Sequence, residues 1–413
     1  MDFYESGFDF HEWQWCFLMR RSSVLGFGRY ETHLMKQGKS HIDFLDYLRG
    51  IAIVMVYLFH TLGEAYREGQ LPWTGCFRSL QVSWTFLLLS PTTMGWLGVA
   101  VFFALSGFCI HYSYERGARK GIGEFYIRRI FRLYPPYLIA LLIFAFAYPW
   151  HKVHFNGLLS IADFWSHIFL IHNIDGRFLY GINPAFWSIA IEFQLYLIYP
   201  ALLFIVRRTG WRNSLILLGL FEIGMRVIAG IWAVSYTPTS TNWFTFSPFY
   251  FWFSWAIGAA LADAYLKEKP LPFAQSSTLL WVVLTILSLL VKPLLPLAFP
   301  FAALATTTAI AGQLVRPRLF TLPGLGYLRF VGITSYSIYL LHQPILGLVP
   351  RMIGRFAPAL ATHHTFVYFV CILMWFPIVW ISRLFYRLVE LPSIEVGKWC
   401  IRKYGSRQMV AFE

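Results

Sequence analysis

Charge is scarce in this chain. Of its 413 residues only 13% are Asp, Glu, Lys or Arg, and just 20 are acidic. A soluble globular domain carries about 25%, so a large soluble core is excluded. Cysteine is also sparse. The five present (Cys16, Cys76, Cys109, Cys371, Cys400) are scattered and odd in number, with neither zinc spacing nor a disulfide framework. Internal repeats, low-complexity tracts and long polar blocks are missing too, which leaves no room for an appended soluble catalytic domain. The apolar run Cys16–Met19 is too short for the core of a cleavable signal peptide. What fills the chain instead is hydrophobic residues, 57% of the total, with a mean hydropathy of +0.55. Aromatic residues make up 19%, enough for belts at two membrane interfaces. The composition is that of a polytopic all-α membrane protein. Its formal charge of +14 does not indicate nucleic acid, because the charges fall in short loops between apolar stretches.

About ten transmembrane helices are predicted, over 44–62, 94–112, 134–149, 187–206, 214–234, 248–266, 278–292, 294–314, 333–350 and 366–386. Each matches a hydrocarbon core of about 30 Å once tilt is allowed. With the N-terminus inside, 26 of the 34 lysines and arginines lie on the inner side, which predicts cytoplasmic termini. Two shorter segments, Ser79–Ser90 and Leu158–Ile171, are expected as interfacial or re-entrant pieces on the outer side. Residues 1–40 form an aromatic, basic cytoplasmic or interfacial extension, 41–392 the transmembrane domain and 393–413 a basic cytoplasmic tail. Membrane lipids are the expected surroundings.

Several polar groups interrupt this apolar frame. Arg49 and His60 lie eleven residues apart on one uncharged segment, within about 20° of the same helix face and about 16 Å apart along the axis. An ionisable residue inside a membrane is a functional candidate; the plainer reading is a snorkelling arginine and a core histidine. Arg129 and Arg132 share a face at the cytoplasmic end of the third span. With Arg49 they can hold a polyphosphate, because arginine forks bind phosphate bidentately, or they are ordinary flanking charge. Ser188, Glu192 and Tyr196 recur every four residues on the fourth span, below Trp187. They form either a hydrogen-bond network or a carboxylate that orients an imidazole. Ser106-Gly107 favours close helix approach. Tyr339 and His342 share a face and read equally as core or substrate contact. Glu222 and Arg226 are predicted to neutralise each other, and His151, His154, His167 and His172 to lie in loops or at the interface without a metal site.

These blocks, in this order, resemble the membrane-bound acyltransferase 3 family over about residues 41–392. The resemblance rests on Phe44–Ala52 with His60, on Gly98–Phe108, on Arg129–Pro136, on Trp187–Glu192 and on Tyr336–His342. It implies an integral-membrane O-acyltransferase, often an O-acetyltransferase, that needs no metal. Acyl-CoA, usually acetyl-CoA, would be held by Arg49, Arg129 and Arg132. The acceptor would be a hydroxyl of a glycan, a lipid-linked sugar or another small molecule. His60 would act as base or acyl carrier and Glu192 would orient it. Ser106, Trp187, Ser188, Tyr196, Tyr339 and His342 are the remaining site candidates. One departure is Ala100, where many relatives carry an acid, so Glu64, one turn past His60, competes with Glu192 as the partner of His60. A transporter or flippase lined by the same polar residues is the rival reading.

Overall fold

The computed structural model describes residues 43–66, 90–117, 121–147, 158–235, 242–273, 276–315 and 324–405. The expectations for residues 1–40, for 79–89 and for His151 and His154 lie outside the described residues. The chain divides into two units, Met1–Asp43 and Phe44–Glu413, and the second carries every residue of the candidate site.

Among the described residues the regular structure is entirely helical. The principal helices are α1 (Asp43–Tyr66), α2 (Gly98–Glu115), α3 (Ile122–Leu142), α4 (Leu158–Ile168), α5 (Phe186–Leu197), α6 (Tyr199–Ser235) and α7 (Trp252–Leu266). They continue with α8 (Thr278–Leu290), α9 (Ala298–Val315), α10 (Leu325–Ile333), α11 (Ser335–Phe356), α12 (His364–Leu373), α13 (Trp375–Phe385) and α14 (Leu391–Gly405). Five helical stretches are long and apolar enough to cross a membrane, and a sixth arises if the bent pair α5–α6 counts as one. The sequence count of ten exceeds this because α8 and α7, at 13 and 15 residues, are short, α5 has only 12, and α11, though 22 residues long, is not apolar enough.

Small residues set the closest packing. A Cβ on Gly107 of α2 would lie 2.0 Å from the Trp255 carbonyl oxygen of α7, and one on Gly258 of α7 would lie 2.0 Å from that of Ala104. The two backbones therefore touch, as the Ser106-Gly107 pair predicts. Arg226 donates to Glu222 at 2.9 Å, as their spacing predicts. The Glu222 carboxylate also accepts from the backbone and hydroxyl of Ser254, and the Arg226 guanidinium lies over the Tyr250 ring. A buried charge pair needs this degree of satisfaction.

The stretch 158–185 decides where the site falls. It packs on the bundle through Phe164, His167, Leu170, His172 and Asn183, while Trp165, Phe169 and Tyr180 stay exposed. Tyr134 and Tyr137 of α3 donate to the carbonyls of Ile168 and His167 at 3.0 and 2.8 Å. Asn183 then donates to the Leu340 carbonyl and accepts from the Ala185 amide, which turns the chain into α5. Consequently α5 begins inside the bundle. It runs antiparallel to α3, with Phe186 packed on Tyr137 at 4.7 Å and Tyr126 donating to the Leu197 carbonyl. At Leu197 the chain bends by 48° into α6, which is broken again at Gly210, where φ is +76° and glycine is favoured. His172 lies in a loop, as expected, whereas His167 is in helix α4, and both are buried. Their rings stack at 3.9 Å.

Candidate active site

Three arginines from two helices converge on one cleft of about 850 Å³. Its arginine end is formed by Arg49 of α1 with Arg129 and Arg132 of α3, its side by Ser106, Cys109, Glu192 and Tyr196, and its far end by Phe102, Ser188 and Tyr339. The arginines fall on α3 because that helix starts at Ile122, well before the expected boundary at residue 134.

Acidic partners hold these forks in unequal degree. Arg49 donates to Asp46 Oδ1 at 2.7 Å and to Cys109 Sγ at 3.0 Å. Arg129 donates to Ser113 Oγ at 3.3 Å, and its buried Nε meets no hydrogen-bond acceptor. Arg132, 47% exposed, stands 4.0 Å from Glu390 Oε1. Arg129 and Arg132 are thus the forks with donors to spare for an incoming anion.

Glu390 was not among the sequence candidates. It falls within the expected domain of 41–392 but four residues past the tenth span, which is predicted to end at residue 386. In the structure it is 0% exposed, ends a π-helical turn over Tyr386–Glu390, and accepts from Ser337 Oγ at 2.6 Å. The segment after it is helix α14, which lies along α3 through a hydrogen bond from Ser393 to the Phe131 carbonyl.

Glu192 does not partner His60. Its Oε1 accepts from Ser106 Oγ at 2.8 Å and from Tyr196 at 2.5 Å. The reason is the starting level of α5. The Tyr126–Leu197 and Tyr137–Phe186 pairs put Glu192 opposite residue 131 of α3. Tyr336 of α11 donates to the Leu133 carbonyl, so His342, six residues on, lies opposite about residue 139. Eight residues of helix separate the two levels by about 12 Å. Counting depth from an outer helix end at Trp187 therefore misplaces Glu192. Trp187 itself packs on Phe246 and Phe251.

The partner of His60 is His342. Their Nδ1 and Nε2 atoms lie 3.0 Å apart, joining α1 to α11. The tautomers follow from the surroundings. His342 Nδ1 faces the carbonyls of Tyr339 and Ile338 at 2.9 and 3.2 Å. A carbonyl only accepts, so this nitrogen carries the hydrogen. In the neutral ring Nε2 is then the acceptor, and His60 donates to it from Nδ1. The lone pair of His60 is left on Nε2, the atom from which an imidazole acts as base or nucleophile. His342 is fully buried, whereas His60 is half-buried. Glu64 sits one turn further on, against Gly347 of α11.

One group of potential metal ligands occurs among the described residues: His111, Glu115 and Asp263. Hydrogen bonds already engage it. His111 bridges Tyr199 and Asp263 at 2.8 and 3.2 Å, and Lys267 donates to the same Asp263 oxygen. It ties α2 to α6 and α7 and lies apart from the histidine pair.

An arginine-rimmed cleft, with a hydrogen-bonded histidine pair further along a helical membrane bundle, defines a class of membrane-embedded group-transfer enzyme. The family of the acyltransferase domain matches residues 42–384, and the chain belongs to it. It is similar to the peptidoglycan O-acetyltransferase OatA of Listeria monocytogenes, with 24% identity over 88% of this chain and 57% of that protein. The O-acetyltransferase OatA of Staphylococcus aureus is 25% identical over 45% of this chain and 29% of its own. The acyltransferase MdmB of Streptomyces mycarofaciens is 30% identical over 30% of this chain and 33% of its own. The chain thus spans little more than half the length of the Listeria relative. No solved structure matches it.

Proposed function

We propose that this membrane acyltransferase moves a short acyl group from acyl-CoA to a hydroxyl of a cell-surface glycan, a lipid-linked sugar or a similar small acceptor. The observation that carries the proposal is the His60–His342 pair, 3.0 Å between nitrogens, about 16 Å along α1 from the Arg49 of the cleft. Ten spans, a plasma-membrane location and cytoplasmic termini belong to the same proposal. They put the arginines on the side where acyl-CoA is made. The O-acetyltransferase names of two relatives support the hydroxyl acceptor.

In this mechanism Arg129 and Arg132 clamp the donor's phosphates and Arg49, fixed by Asp46, completes the rim. The thioester arm reaches along the bundle toward His60. His60 Nε2 takes the proton of the acceptor hydroxyl as its oxygen attacks the thioester carbon. The C–S bond breaks and the departing thiolate recovers that proton from the imidazolium. Throughout, His60 Nδ1 donates to His342, which holds the ring in one tautomer and shares the developing charge. Glu192, with Ser106 and Tyr196, is a wall of the donor cleft.

The test is purified full-length chain in lipid nanodiscs with radiolabelled acetyl-CoA and an N-acetylglucosamine oligosaccharide. Label on the glycan that requires His60 supports the proposal. Glycan movement across the bilayer without CoA release favours a transporter.

A further inference from the structure

The cleft stops short of the histidines. Val99, Phe102, Phe103, Ser188 and Tyr339 line its far end, and neither His60 nor His342 lines it. The wall is made of particular contacts. The Tyr339 hydroxyl and Ser188 Oγ lie 2.6 Å apart, linking α11 to α5. Ser188 Oγ also reaches the Ala185 carbonyl at 3.4 Å, which leaves the Tyr339 hydroxyl to donate the shorter bond. The Phe102 ring of α2 stands edge-on to Tyr339, centroids 6.0 Å apart. Phe102 is half-buried, whereas its neighbour Phe103 is buried among Phe251 and Phe299. Both rings line the cleft, Phe103 as part of the core and Phe102 as the more exposed of the two.

Behind this wall aromatic rings pack against the histidines. The Tyr339 ring lies 5.5 Å from that of His342. Tyr57 is 6.5 Å from His342, and Phe59 is 5.3 Å from His60. Tyr339 thus lines the cleft and packs against His342, which places it, with Phe102 against its edge, between the arginines and the histidine pair.

We infer that Phe102 and Tyr339, latched to Ser188, form an acyl-length gate that admits acetyl and propionyl to His60 and holds back longer chains. The inference rests on the reading of the cleft as the donor site. Rings packed on helix backbones yield less than a loop does, and a single methylene too many in such a site discriminates by about 10-fold or more.

The experiment follows CoA release by full-length chain in nanodiscs. Acetyl-CoA and hexanoyl-CoA are compared with the same N-acetylglucosamine oligosaccharide. Wild type should favour acetyl over hexanoyl by at least about 10-fold in kcat/KM. Phe102→Ala should raise the hexanoyl-to-acetyl ratio about 10-fold. Phe102→Leu, a milder change that guards against misfolding, should move it the same way by less. Tyr339→Phe keeps the ring but releases the latch and should also raise the ratio. Equal use of both donors by wild type, or an unchanged ratio in both Phe102 variants, overturns the gate. If wild type releases CoA from neither donor, the donor reading itself fails and the gate falls with it.

Discussion

Removing His342 tests the site at its least redundant point. His342→Ala deletes the acceptor of the His60 Nδ1–H bond, 3.0 Å long, while leaving His60 in place. Once His60 takes a proton, that bond is charge-assisted, and such bonds contribute about 1.5–3 kcal/mol. At about 1.4 kcal/mol per tenfold, kcat should fall by about ten- to a hundredfold. Acyl-CoA affinity should hardly change, because the arginine cleft does not include His342. His342 is fully buried, so alanine also leaves a cavity, and a lower thermal midpoint in detergent is expected. His342→Gln separates the two effects. It nearly fills the volume, and its side-chain oxygen can accept from His60. It should recover most of the stability and part of the turnover. The assay is single-turnover acyl transfer, with donor affinity measured separately. Full kcat in His342→Ala would remove the relay from the mechanism. So would a Gln variant that is stable and no faster than the Ala variant.

Four other outcomes follow from the same geometry. Arg129→Gln with Arg132→Gln should weaken acyl-CoA binding at least tenfold and flatten its salt dependence, with lysine restoring only part of it; equal affinity by calorimetry would return both residues to a topological role. Glu192→Gln should shift donor KM more than kcat, since its carboxylate bonds Ser106 and Tyr196 at the cleft, whereas a pure kcat loss would reinstate it beside His60. Glu222→Gln strands the Arg226 charge and should cost about 3–5 kcal/mol of stability, with Glu222→Gln/Arg226→Met recovering much of it; thermal unfolding of the three proteins decides. Tags at Glu413 and within residues 236–241 should report inside and outside respectively, and a shared side would overturn the span count.

Periodicity made parts of this molecule legible before any coordinates. Arg49 and His60 share a face because eleven residues nearly complete three turns, and that relation needs only one unbroken helix. The same holds for Arg129 with Arg132, for Ser188, Glu192 and Tyr196, and for the Glu222–Arg226 pair. Close approach at Gly107 was legible too, since small residues leave only one way to bury a helix face. What the sequence conceals is level. Two helices can each be read correctly while their offset along the bundle is unknown, and the offset decides which side chains meet. Glu192 shows this. Its helix was assumed to start at the outer surface, but the 158–185 stretch occupies that depth and lowers α5 to the arginines. Nothing local marks the descent, because the bonds that fix it, from Tyr134, Tyr137 and Asn183, join residues 30 to 157 apart in the chain. Glu390 was hidden for the opposite reason. A hydropathy boundary treats an acid near arginines as solvated. Burial by Ser337 and the neighbouring helix lies beyond the reach of such a rule. The consequence is chemical. With Glu192 and Glu390 drawn to the arginine level, the contact that the fold gives His60 is His342. An imidazole paired with an imidazole is the arrangement that the fold presents at His60, and it follows from helix level, which no local pattern in the sequence records.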